Sequence, residues 1–272
     1  MEESSPGLSV QDATVRFGGI TALDEVSLAV GSGEVVGVIG PNGAGKTTLF
    51  NLICGFVRAE SGSLTWRDRS LTNVRPDRLA GLGIARTLQG VGLFERLTVL
   101  ENVTAGAERF RRARLGSEVL GLPMSDSDER RLRERACAAL HQVGCDQIDD
   151  RLPGTLPYAV QKRVALARAL VGDPQLLLLD EPAGGLGVDD LTELGELITS
   201  LGNKIAVMLV DHHMDLVTSV CHRIVVLDFG RVIASGTPDE VRQDANVLEA
   251  YLGREAEGSD EAVESEAGDA HD

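Results

Sequence analysis

Short apolar runs alternate with turns through the first eighty residues. VSLAV (26–30) and EVVGVIG (34–40) flank a Gly-Ser-Gly and predict two strands. TTLFNLICGF (47–56) then changes to helical spacing. Strand, glycine-rich loop and helix follow one another in that order. Farther on, QLLLLD (175–180) and KIAVMLV (204–210) are continuous apolar runs, the pattern of parallel strands buried on both faces. Between them Leu191, Leu194, Leu197, Ile198 and Leu201 mark a helix. RIVVLDFGRVIASG (223–236) predicts a hairpin turning at Phe229-Gly230, and PDEVRQDANVLEAYL (238–252) a short closing helix.

Residues 91–155 break this rhythm. They carry an arginine cluster, RFRRAR (109–114), and an amphipathic helix at 128–143 with Leu132, Ala136, Leu140 and Val143 on one face. The region reads as a helical insertion. LPYAVQKR (156–163), followed at once by VALARAL, predicts another helix with a proline near its first turn. There are no internal repeats.

A chain of 272 residues, 43% hydrophobic and 25% charged, is long enough for one large α/β domain with a full core. No run approaches the roughly 18 apolar residues of a membrane span. The N-terminal MEESSPG is acidic and polar, unlike a secretory signal. Cys54, Cys137, Cys145 and Cys221 show no metal-type spacing and read as reduced structural thiols. Cys221-His222 follows His212-His213 closely, but no second pair completes a usual ligand set. The net charge of −16 is uneven: residues 255–272 hold eight acids and no Lys or Arg. Without those eight acids −8 remains, which argues against a broad basic face for nucleic acid. The tail's composition predicts disorder.

The chemistry sits in two segments. GPNGAGKTT (Gly40, Pro41, Asn42, Gly43, Ala44, Gly45, Lys46, Thr47, Thr48) fits G-x-x-x-x-G-K-[ST]. Its glycines let the backbone wrap so that successive N–H groups point at phosphate oxygens, and the following helix presents its positive end to the same anion. Lys46 suits the β- and γ-phosphates and the Thr47 hydroxyl suits Mg²⁺. In LLLLDEP, Asp180 ends a buried strand, where ligands bind in open α/β sheets. Asp180 suits the Mg²⁺ shell, and Glu181 can orient or deprotonate an attacking water.

GPNGAGKTT, LLLLDEP and the intervening VALARAL helix resemble the nucleotide-binding subunit of an ABC transporter, from about residue 8 to 253. The resemblance implies a RecA-like P-loop NTPase core, an antiparallel β-subdomain, and an α-helical subdomain inserted at about 91–160. Residues 1–253 would form the ATPase domain and 254–272 the acidic tail. It also implies a head-to-tail pair of subunits with two ATP molecules between them, each touching the phosphate loop of one chain and the signature helix of the other. Phe17 falls where the family stacks an aromatic on adenine. Gln89 matches the glutamine that contacts Mg²⁺ and the water and senses the transmembrane partner. His212 matches the switch histidine on the γ-phosphate; His213 stands where the nearest branch usually has Asp, and reads as a surface residue. ARTLQGVGLFERLTVLENV and GTPDEV…VLEAYLG resemble importers of branched-chain and other hydrophobic amino acids. Those combine two different ATPase subunits, two permeases and an external binding protein, so the chain is expected at the cytoplasmic face of the inner membrane, held by permeases. Urea importers and lipopolysaccharide-export ATPases share parts of these motifs. A regulatory subunit that holds ATP with little hydrolysis is a further alternative.

Two departures stand out. The family signature LSGGQ is often Leu-Pro-Tyr-Gly in this branch; here Pro157 and Tyr158 follow the branch and Ala159 does not. If φ at Ala159 were positive, its methyl would add roughly 1–2 kcal/mol of strain. The acid or amide that the family places after the DEP segment is Gly187. Both changes fall on elements that the resemblance places against the partner's nucleotide.

Overall fold

The computed structural model describes residues 7–88, 90–110 and 123–250. Gln89, the last four residues of RFRRAR and the acidic tail lie outside the described residues. The apolar runs form a six-stranded sheet of β3 (Val35–Ile39), β6 (Ile84–Arg86), β7 (Leu176–Asp180), β8 (Ala206–Val210), β9 (Arg223–Asp228) and β10 (Arg231–Gly236). Its order is β10-β9-β3-β8-β7-β6, parallel throughout except for the β9–β10 hairpin. Every residue of β3, β7 and β8 is buried, and alternate side chains feed two cores. Leu177, Leu179, Val207 and Leu209 point into one; Leu176, Leu178, Ala206 and Met208 point into the other. This is why the runs are continuously apolar rather than alternating.

The first core is closed by α2 (Val99–Gly106), α3 (Pro123–Gln142), α4 (Tyr158–Leu170), α5 (Val188–Gly202) and α6 (Met214–Val220). The stripe Leu132, Ala136, Leu140 and Val143 is buried there, as its periodicity requires. The second core is closed by α1 (Lys46–Ile53) and by a separate antiparallel sheet. That sheet runs in the order β2-β1-β4-β5 and comprises β1 (Leu8–Phe17), β2 (Ile20–Val30), β4 (Ser61–Trp66) and β5 (Arg69–Ser70). The α/β fold with an added antiparallel sheet is thus present.

Two boundaries differ from expectation. α1 stops at Ile53, because Gly55 takes a φ of 72° and turns the chain. The single closing helix is two helices: α7 (Pro238–Gln243) ends at Asp244, whose backbone is extended, and helix resumes over 245–250. Asp244 Oδ1 accepts from Asn246 N at 2.8 Å, so an acid in the middle of the run acts as a new N-cap.

Candidate active site

Parallel order puts the carboxyl ends of β3, β8, β7 and β6 side by side along one edge. Those four ends lead into the phosphate loop, Asp211-His212, Asp180-Glu181 and Thr87. Residues 171 positions apart in sequence, such as Gly40 and Asp211, therefore share one rim.

The phosphate loop is fixed by backbone close approach. Gly40 has φ 148°, and a Cβ there would stand 2.0 Å from the Leu227 carbonyl oxygen. Gly45 has φ 104°, with a Cβ position 2.6 Å from the Ala22 oxygen. Neither position accepts another residue without rearrangement. Lys46 Nζ donates to the carbonyls of Gly40 at 2.6 Å and Pro41 at 2.8 Å, so the ammonium spans the loop. Thr47 is exposed and Thr48 half-buried. Helix α1 begins at Gly45 with no side-chain cap, and a helix start is where an anion meets backbone N–H groups.

Asp180, only 8% exposed, is paired with Arg86, which lies in the ARTLQ stretch but is given no role by that resemblance. Arg86 Nη2 donates to Asp180 Oδ2 at 2.6 Å, and Arg86 Nη1 to Asn51 Oδ1 at 2.8 Å. Removing one member of so enclosed a pair costs roughly 3–5 kcal/mol. Thr87 Oγ1 accepts from the Asp180 amide. The donor types on this rim, the Thr47 hydroxyl and the Asp180 carboxylate, are the hard oxygens that Mg²⁺ takes. A magnesium ion here would compete with Arg86 for one carboxylate oxygen.

Glu181 is half-buried with a left-handed φ of 47°, an unusual conformation for a residue other than glycine. Its N–H donates to the Val210 carbonyl at 2.8 Å. Its carbonyl accepts from Lys162 Nζ at 2.9 Å. Asp211, fully buried, gathers the neighbouring loops: Oδ2 accepts from Ala183 N, and Oδ1 from His212 N and His213 N. His212 is two-thirds exposed on the rim. His213 is not the surface residue its position suggests. It is half-buried, Nδ1 lying 2.8 Å from Asp211 Oδ1, and its ring lies 4.2 Å from that of His212. Asp211, His212 and His213 are the ligand-type cluster found among the described residues. Cys221 and His222 are not in it. The Cys221 thiol is buried and pushed up to about 12 by burial, and His222 Nδ1 accepts from the Val35 amide. Asp211 and Lys162 carry no motif of their own. Their signal is a polar residue directly after a buried strand and a cation one turn into the signature helix.

Phe17 ends β1 with half its surface exposed, as a stacking platform requires. Helix α4 starts directly after Pro157, which occupies the N-cap without a side-chain bond. Ala159 lies inside the helix and is not among the residues with positive φ, so the strain considered for it does not arise. Gly187 is the N-cap of α5, again without a side-chain bond. Beside these elements runs a cleft of about 510 Å³, lined by Leu88, Gly90, Lys162, Leu166, Asp180 and Leu197 among others.

Residues 23–184 match the family model described as ABC transporter. Residues 231–257 match a second, described as branched-chain amino acid ATP-binding cassette transporter. The chain is 38% identical over 252 residues to the high-affinity branched-chain amino acid transport ATP-binding protein LivG of Salmonella typhimurium, covering 92% of this chain and 99% of that one. It is 36% identical to the corresponding protein BraF of Pseudomonas aeruginosa, with the same coverage. Among solved structures, the ADP conformation of an ATP-binding cassette of an ABC transporter superposes with a TM-score of 0.80 at 30% identity, covering 91% of this chain and 99% of that one.

Proposed function

The chain belongs to the ABC transporter ATP-binding family, and from that premise we propose that it is an ATPase subunit powering an importer of branched-chain or other hydrophobic amino acids. The observation that carries the chemistry is the shared rim of the phosphate loop, Asp180-Glu181 and His212. The substrate class rests on likeness to the LivG and BraF proteins and on the C-terminal match.

In this reading the N–H groups of Gly43 to Thr48 and the start of α1 receive the phosphates of ATP, and Lys46 turns from the loop carbonyls to the β- and γ-phosphates. Phe17 stacks on adenine. Bound Mg²⁺, held by Thr47, Asp180 and Gln89, would neutralise charge that develops on the phosphates. Glu181 orients and deprotonates the attacking water. His212 hydrogen-bonds the γ-phosphate. Tyr158 and Ala159, at the start of α4, face the nucleotide of a second ATPase subunit. No helix among the described residues is long and apolar enough to cross a membrane. Attachment is peripheral, through permeases, with an external solute-binding protein in the same system. The cleft lined by Leu88, itself half exposed, and Gly90 suits a docked permease segment.

The two kinds of site are unequal. The groups acting on the chain's own ATP are intact, whereas Pro157 and Gly187 weaken what is offered to the partner's. Pro157 has neither hydroxyl nor N–H, and a lost hydrogen bond to a charged group costs roughly 1.5–3 kcal/mol. A heterodimer would then hydrolyse ATP mainly at this chain's phosphate loop. The test is ATPase of the purified chain alone against the chain assembled with its partner and permeases. Slow turnover alone and solute-stimulated turnover in the assembly are expected. Vigorous activity of the lone chain would sink the asymmetry.

A further inference from the structure

Lys162 is the first cation of LPYAVQKR, one helical turn after Tyr158 on α4. Its ammonium does not point to solvent. Nζ donates to the Glu181 carbonyl at 2.9 Å and to the Pro182 carbonyl at 3.0 Å. Burial lowers its pKa, while the charges of Asp211 and Glu181 work in the opposite direction. A half-buried lysine that spends two donors on consecutive backbone carbonyls fixes that backbone. One of those carbonyls belongs to Glu181, whose left-handed φ persists only if its surroundings hold it.

A second contact joins the same elements. Gly185 has φ 78°, and a Cβ there would stand 2.8 Å from Tyr158 Cε1. The Tyr158 ring therefore lies against the loop that follows Glu181. From the opposite side, Asp211 Oδ2 accepts from Ala183 N at 2.8 Å, and Val210 O accepts from Glu181 N. Loop 181–185 is thus gripped by the start of α4 on one side and by the switch segment after β8 on the other. A displacement of α4 reaches the backbone of Glu181 and Pro182 through one hydrogen bond to each carbonyl, with only the Lys162 side chain in between.

We propose that Lys162 is a positioning residue that couples the two nucleotide sites. It ties the helix start that meets the partner's ATP to the backbone of the glutamate that acts on this chain's own ATP. Occupancy of one site then sets the orientation of Glu181 in the other. The proposal rests on the ATPase reading above and adds a residue and a direction of coupling to it.

The test uses the full chain assembled with its partner ATPase and permeases, in wild-type form and as Lys162→Met and Lys162→Arg. Methionine keeps the apolar stem and removes the donors; arginine keeps donors and charge. Steady-state hydrolysis is followed against ATP concentration, with thermal melting measured in parallel. Lys162→Met is expected to lower kcat roughly 10- to 100-fold, the scale of one charge-assisted hydrogen bond. KM for ATP should change less than about twofold, since the phosphate loop is untouched. Any cooperativity in ATP should fall to a Hill coefficient of about 1. Lys162→Arg should recover most of kcat. Unchanged kcat and cooperativity in Lys162→Met overturn the coupling. So does a loss of kcat that arginine does not restore, or one that follows a melting point brought down to the assay temperature. A wild-type assembly that hydrolyses no ATP overturns the ATPase reading, and the coupling with it. A hydrolysing wild type with an unaffected Lys162→Met overturns the coupling alone.

Discussion

Two kinds of helix start occur in this molecule. α2 and α7 open with complete capping boxes: the hydroxyls of Thr98 and Thr237 accept from Glu101 N and Glu240 N, and each glutamate reaches back to its own threonine's N–H. α1, α4 and α5 open on Gly45, Pro157 and Gly187, with no side-chain cap at all. Local stability alone would favour the first kind, since a Ser, Thr, Asp or Asn cap is worth about 1 kcal/mol. These three uncapped starts border the phosphate loop, the signature segment and the loop after Glu181, and a fourth, that of α6 at His213, follows His212. A helix start intended for an anion must keep its N–H groups open. On the proposed ATPase reading, the missing caps at Gly45, Pro157 and Gly187 are places where stability is traded for binding.

The largest expected effect separates binding at an uncapped start from chemistry beside it. Glu181→Gln leaves α1 and Lys46 in place and removes the carboxylate. ATP should be retained while kcat in the assembly falls roughly 10²- to 10⁴-fold, the usual contribution of a general base. Nucleotide retention by filtration and phosphate release together check this; unchanged turnover would remove Glu181 from that role.

Capping α4 is the next lever. Pro157→Ser supplies a hydroxyl to the start of α4, and the chain should gain about 1 kcal/mol of stability. If α4 meets the partner's phosphate, the hydroxyl gives up the cap and donates to the phosphate, a donor that Pro157 lacks, and turnover at the partner's site should rise roughly tenfold or more. Added stability without added turnover in the assembly would break the link between open helix starts and anion binding.

Gly187→Asn probes the open start of α5. Asparagine caps better than glycine by only a few tenths of a kcal/mol, and Asp189 and Asp190 already supply negative charge in the first turn of α5. A rise of about 1–2 °C in melting temperature is expected for a domain of this size. A drop would show that the new side chain strains the loop after Glu181 instead of capping α5.

What can be read from sequence divides along the same physical line. The phosphate loop and LLLLDEP are legible because their chemistry is contiguous: the glycines, the lysine and the helix they open lie within nine residues. The buried strands are legible because a sheet covered on both faces demands unbroken apolar runs. Arg86, Lys162 and Asp211 are not legible, because each acts on a residue that only strand order brings near. Arg86 lies 94 positions from Asp180 and Asp211 28 positions from Ala183. His213 escapes for the same reason: its partner is the buried carboxylate two residues back, whose burial depends on β8 being interior. The break at Asp244 has a local signal, an acid followed by an apolar run, which helical periodicity overrides.

The smallest effect tests the capped class. The Glu101 carboxyl is held below its ordinary value of 4.5, chiefly by the N–H of Thr98 and then by its hydroxyl. Glu240 is lowered by the same contacts with Thr237. A depressed carboxyl contributes stability that is complete above its unfolded pKa and disappears as pH falls through the folded one. Wild type should therefore exceed Glu101→Gln in urea midpoint at pH 7. The gap should persist to about pH 5 and close as pH falls below the ordinary carboxylate range, with no change in ATP binding at neutral pH. A gap that stays constant with pH would mean that the carboxylate's charge contributes nothing to the cap. The capped starts would then differ from the open ones only in geometry, and the open starts at Gly45 and Pro157 would lose their reading as places kept free for an anion's charge.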